Sequence, residues 1–180
     1  RAAVREIAPL VMECFEAGLA RAQPVLDRLN AETGEAVHLA VLQGNRVVTV
    51  AKSEARQAVR VETGEIGAAE APHATATGKA MLAWLPEEKT RRILLLGGMA
   101  RFTPATITDT EALIEHMRHV RRNGFSLDRE EFQPGVVCVG AAVRDHAGAF
   151  IYMYGIAEVL PRAENRVTLD PQVKDVNGLP

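Results

Sequence analysis

An α+β fold with a mainly antiparallel sheet is predicted by three features of the chain. Two short β-type runs flank Gly44-Asn45, a second pair flanks residues 145–148, and helical patterns precede and separate the pairs. Val4, Ile7, Val11, Cys14 and Gly18 recur at steps of three and four, which makes the start of the chain an amphipathic helix with a nearly seven-residue repeat. Such a stripe lies on its own domain or pairs with another subunit, and the spacing allows both. Pro24 reads as the first turn of a second helix carrying Val25, Leu26 and Leu29, with Gly34 as its C-terminal cap.

Residues 37–42 and 46–51 are rich in Val, Leu and Ala and form the first hairpin, and residues 57–62 suggest a third, shorter strand. The stretch 63–72, with Gly64 and Gly67, is too polar for a regular element. A helix is expected over 73–85 and another from Pro86-Glu87-Glu88 to Gly97-Gly98, its acids placed where the helix dipole favours them. Residues 102–107 connect to Thr108-Asp109-Thr110-Glu111, which has capping-box spacing and opens a helix through Leu113, Ile114, Met117 and Val120 to Asn123-Gly124. Strands are expected at 125–128, 136–143 and 150–157, and residues 162–180 read as loop with a short helix at most.

The composition restricts the function classes. At 180 residues, with 47% hydrophobic and 24% charged residues, the chain suits one globular domain with a substantial core. A net charge of −2 gives no general attraction to nucleic acid. No apolar run approaches the roughly 20 residues that span a bilayer, and no signal-peptide pattern opens the chain, which points to a cytoplasmic protein without membrane partners. Cys14 and Cys138 are too few for a disulfide framework. The chain opens at Arg1 on what already reads as helix, as a piece of a longer protein or an ordered part that begins in a linker would.

Two stretches could carry chemistry. In Ala71-Pro72-His73-Ala74-Thr75-Ala76-Thr77-Gly78-Lys79, small residues lead into a helix whose unpaired N–H groups suit a carboxylate. The same composition would also let the helix pack tightly on a sheet. Thr77-Gly78-Lys79 is not the end of a nucleotide-binding P-loop, because His73 and Ala80 stand where that motif needs a glycine and a hydroxyl. The second stretch joins the acids Asp128, Glu130 and Glu131, through Pro134-Gly135, to a strand on which Cys138, Gly140 and Ala142 share a face. That face of small residues leaves room for a ligand, or for Met81 or Trp84 from an overlying helix. Cys138 in an apolar strand is expected to be inert rather than nucleophilic. His116 and His119 lack a third ligand and sit among arginines, so a solvated basic face is expected there and no metal site.

Taken together, TGEAVHLAVL (33–42), PHATATGKA (72–80), GFSLDREE (124–131) and GVVCVGAAVRD (135–145) resemble the IclR-type bacterial transcriptional regulators, with order and spacing in agreement over residues 22–161. The resemblance implies a linker helix (1–20), a GAF-like effector-binding domain (21–161) and a C-terminal tail (162–180), with no catalysis and no cofactor. It also implies a homodimer or homotetramer that meets DNA only through an N-terminal winged helix-turn-helix absent from this chain.

By the same resemblance, the effector, a carboxylic or aromatic acid, meets the backbone at Ala76 and Thr77 together with Asp128 and Cys138. Closing-strand hydroxyls of acid-binding relatives are matched here by Gly155 and Ala157. Their loss removes hydrogen bonds and enlarges the space, so a bulkier effector than a two- or three-carbon oxo-acid is expected. A thiol-dependent enzyme on a GAF-like scaffold is the alternative, and Cys14 is a poor resolving partner for it.

Overall fold

The computed structural model describes residues 2–55, 69–144 and 150–156. In chain order these form α1 (Ala2–Thr33), β1 (Val37–Gln43), β2 (Arg46–Ser53), β3 (Ala69–Glu70), α2 (Ala76–Trp84), α3 (Glu87–Gly97), α4 (Thr110–Asn123), β4 (Phe125–Arg129), β5 (Val137–Arg144) and β6 (Phe150–Ile156). The strands make a single sheet in the order β3-β2-β1-β6-β5-β4, and every pairing is antiparallel. This is the α+β architecture that the two hairpins and the intervening helices predict.

Successive β1 residues point to opposite faces, and each face has its own helix. Val37 and Leu39 pack with Ala51 against Leu26 of α1, and Ala40 packs with Val47 against Ala80 and Met81 of α2. Behind α2, Leu82 and Ala83 join Ile93 and Leu94 of α3 and Leu113, Ile114, Met117 and Val120 of α4 in the largest apolar cluster among the described residues. Two side chains tie down the end of α2. Arg121 donates to the carbonyls of Ala83 and Leu85, and the Thr90 hydroxyl donates to Leu82 O at 3.0 Å.

Several boundaries differ from the sequence expectations. One helix of 32 residues runs through Pro24 instead of two. Proline there lacks the N–H that would bond the Ala20 carbonyl, but both residues are on the exposed side, where water can serve that carbonyl. Gly34, at φ 78°, ends the helix as expected, with its N–H on Asn30 O at 2.8 Å. The edge strand paired with β2 is Ala69–Glu70, inside the stretch read as irregular.

α2 begins at Ala76 and not at residue 73, because Thr75 is extended and its side chain accepts from Gly78 N–H at 3.2 Å. The N-cap of α4 is Asp109, which accepts from Ala112 N–H at 2.8 Å, rather than Thr108. The reason is competition. Arg101 donates to the Thr108 hydroxyl at 3.0 Å, and Arg91 holds the Glu111 carboxylate that a capping box would use.

The expected strand at 57–62, the turn at 145–148, Ala157 and the tail 162–180 lie outside the described residues. So do the side chains of the Val4, Ile7, Val11 and Cys14 stripe.

Candidate functional site

The first turn of α2 stands directly on β5. A Cβ at Gly140 would lie 2.6 Å from the carbonyl carbon and oxygen of Ala76 and 2.8 Å from Thr77 N, so only glycine admits the helix this close. The Ser126 hydroxyl on β4, paired with Gly140 in register, donates to the Ala76 carbonyl. Gly78 is packed as tightly on the other side, where a Cβ would stand 2.4 Å from Pro72 Cα. The space expected above the small-residue face is therefore taken, at Gly140, by the helix backbone itself. At the next position Ala142 packs against the cluster of Ala40, Val47, Ala80 and Met81. Trp84 lies further along and carries the Arg144 guanidinium 3.5 Å from its ring centroid.

The first bond of the helix ladder runs from Lys79 N–H to Thr75 O at 3.0 Å, and Gly78 N–H is taken by the Thr75 side chain. The Ala76 and Thr77 N–H groups have no hydrogen-bond partner among the described residues. Thr77 is also the single residue from 72 to 83 that is not buried, so the turn opens outward at that point.

Asp128 and Cys138 are directly opposed on β4 and β5, on the same face as Ser126 and Gly140 and one pleat repeat away, on the order of 7 Å along the strands. Gly155 of β6 extends the row, opposite Gly140 on one side and His38 of β1 on the other. Thus Ala76, Thr77, Asp128, Cys138 and Gly155 gather on one face of the sheet. Cys138 is partly buried there.

Asp128 is 2% exposed, and its Oδ1 accepts from Glu131 N–H at 2.7 Å and from Phe132 N–H at 3.4 Å. Burial pushes its carboxyl up to about 6, although the Glu131 N–H bond pulls the other way. It therefore changes charge close to neutral pH, as an acceptor above that value and a possible donor below it.

Sequence reasoning missed the polar groups behind this face. Lys79 is fully buried and pairs with Glu131, whose Oε2 is buried without a hydrogen-bond partner among the described residues. The loop after β4 turns at Glu130, a non-glycine residue at φ 60°, and is held from outside by hydroxyls. Thr103 donates to Glu130 O at 2.6 Å and Thr106 to Glu131 O at 2.6 Å. The signal that could have found the pair was a lone lysine inside an apolar helical run, since such a charge needs a buried partner.

His116 turns inward beside Lys79 instead of joining a solvated basic face. Burial, with the lysine charge second, lowers it to about 4. His119 stays exposed and accepts from Arg122 at 2.7 Å. Among the described residues no three His, Cys, Asp or Glu side chains are grouped so as to hold a metal ion. No helix among them is long and apolar enough to cross a membrane.

Comparison with known proteins gives a consistent result. The family model for the bacterial transcriptional regulator IclR C-terminal domain matches residues 19–175. The HTH-type transcriptional repressor AllR of Salmonella typhimurium is 33% identical over 139 residues, covering 77% of this chain and 51% of AllR. The HTH-type transcriptional regulator BhcR of Paracoccus denitrificans is 38% identical over 128 residues, covering 71% of this chain and 46% of BhcR. The chain thus spans about half the length of these curated relatives.

Among solved structures, a double mutant of the PobR inducer-binding domain from Acinetobacter, in complex with 3-hydroxybenzoic acid, superposes with a TM-score of 0.70 at 30% identity. The match covers 77% of this chain and 81% of that one. The antiparallel sheet with a helix on each face, and the match from residue 19 to residue 175, lead to one conclusion: the chain belongs to the IclR family of bacterial transcriptional regulators and carries its C-terminal domain.

Proposed function

We propose that this chain is the effector-binding part of a transcriptional regulator, and that its ligand is a carboxylic acid held between the first turn of α2 and the Asp128–Cys138 pair. The observation that carries the reading is the pair of N–H groups at Ala76 and Thr77, which have no partner among the described residues where α2 meets the sheet and the turn opens at Thr77. Two such donors at a helix N-terminus favour an anionic oxygen. Gly155 and Ala157 bring no hydroxyls to the closing strand, which favours a bulkier, aromatic acid over a small oxo-acid. That the double mutant of the related PobR domain forms a complex with 3-hydroxybenzoic acid agrees with this preference.

Binding would act by population shift. The ligand stabilises whichever arrangement of loop and subunits it fits better, and DNA binding by an N-terminal domain of the whole protein changes by that difference in affinity. Residues 1–20 would serve as the linker to that domain, 21–161 as the sensor and 162–180 as a tail. A homodimer or homotetramer is the expected assembly, and Leu95 and Leu96, 84% and 67% exposed, offer apolar area for it.

Catalysis by Cys138 is disfavoured. A carboxylate stands directly opposite the thiol, and a neighbouring negative charge opposes the thiolate that such chemistry needs. Calorimetric titration with 3-hydroxybenzoate and with glyoxylate tests the proposal. Binding of the aromatic acid is expected to weaken at least about tenfold in Asp128→Ala and in Thr77→Phe, both remaining folded. Tight glyoxylate binding with no response to aromatic acids would overturn the effector assignment, and unchanged titrations in both variants would remove the site.

A further inference from the structure

Building on that reading of the site, we infer that Lys79 and Glu131 are positioning residues whose buried ion pair sets the first turn of α2 against the loop that follows Asp128. The two halves of the proposed site belong to different parts of the chain. The Ala76 and Thr77 amides open α2, and Asp128 is the penultimate residue of β4. Apart from the sheet, a continuous path joins them. Asp128 Oδ1 accepts from Glu131 N–H at 2.7 Å, the Glu131 carboxylate accepts from Lys79 Nζ, and Lys79 lies one turn along from Ala76. The loop cannot give way on its outer side, because the Thr103 and Thr106 hydroxyls hold the carbonyls of Glu130 and Glu131.

The pair is a poor device for stability alone. Lys79 is 0% exposed and Glu131 6%, so both charges are stripped of water, and Glu131 Oε2 recovers no bond among the described residues. Buried pairs of this kind often yield no net stabilisation over apolar residues of similar size. What the pair does provide is direction. It fixes one helix turn to one loop residue, whereas apolar contacts would allow sliding.

The test is amide hydrogen exchange on the full chain, which needs no ligand. The double variant Lys79→Met with Glu131→Leu replaces both charges with apolar groups of similar bulk. Exchange at residues 76–80 and 128–132 is expected to quicken by about tenfold or more, with residues 22–30 of α1 and the melting temperature held. The control Thr90→Val removes a buried hydroxyl bond at the far end of α2, to the Leu82 carbonyl, and is expected to leave residues 76–80 as in the parent chain.

If the double variant does not fold, Glu131→Gln, which keeps an oxygen for Lys79, is expected to give the same local quickening to a smaller degree. Exchange unchanged at residues 76–80, or raised equally in α1, would overturn the inference. A titration separates this result from the fate of the effector reading. If the parent chain ignores 3-hydroxybenzoate while the local exchange effect is present, the effector reading is lost and the positioning role stands. Equal affinity for 3-hydroxybenzoate in the parent and the double variant would overturn the positioning role.

Discussion

The two faces of the sheet are built by different means. Under α1 the contact is made by side chains: Leu26 sits among Val37, Leu39 and Ala51 in an ordinary apolar core. Under the first turn of α2 it is made by backbone, with the Ala80 and Met81 side chains taking over beyond it. The Ala76–Thr77 peptide rests on Gly140, Ser126 bonds the Ala76 carbonyl, and the groups buried nearby are Asp128, Lys79 and Glu131. A side-chain interface stores stability and tolerates small shifts. A backbone-on-glycine interface with polar supports instead fixes where particular donors stand, which a recognition site requires.

Removing Leu26 should have the largest effect on stability and none on recognition. Leu26→Ala empties a fully buried position and is expected to cost about 3 kcal/mol in urea unfolding, with 3-hydroxybenzoate affinity retained. Gly140→Ala should behave oppositely. Its Cβ meets the Ala76 and Thr77 backbone, which has no flexible side chain to move aside, so a cost of about 2 kcal/mol should come with loss of effector binding. If Gly140→Ala bound normally, the contrast between the faces would fail.

Asp128→Asn examines the charge buried on the α2 face. The native carboxyl titrates near 6, above the 3.8 of an unperturbed aspartate, so the folded chain binds more protons than the unfolded chain between those values. The contribution of Asp128 to stability therefore falls as pH rises from about 4 to about 6. Asparagine carries no charge and keeps an oxygen for Glu131 N–H. The variant is expected to be more stable than the parent by at most about 3 kcal/mol at pH 8, with the difference vanishing toward pH 4. Burial lowers both His38 and His116 to about 4, which acts in the opposite direction. Both histidines are present in parent and variant, so melting curves of the two proteins across pH measure the Asp128 difference directly. The smallest effect is expected from Asp109→Ala, which removes the α4 N-cap at an exposed site and should cost about 1 kcal/mol on melting while leaving both faces intact.

Much of this was legible in the residues. The alternation of the two hairpins, the glycines after residues 33, 97 and 123, and the small residues at 138, 140 and 142 marked these elements and the face of β5 on which the first turn of α2 rests. These signals are local, and backbone sterics and periodicity act over a few residues. The errors came where a local signal met a distant competitor. Thr108 and Glu111 have capping-box spacing, but Arg101 and Arg91 claim them from other segments. Pro24 resembles a helix start, yet its exposed position lets α1 continue.

The amino-acid order by itself determined the two hairpins and their antiparallel pairing, the three helices between them, and the family to which the chain belongs. Tertiary structure alone decided which neighbouring acid would meet Lys79, that Asp128 would turn inward to cap its own loop, and that the helix backbone would occupy the room above Gly140. The reason is that burial, and with it the cost of an unpaired charge, belongs to the assembled layers and not to any stretch of chain read alone.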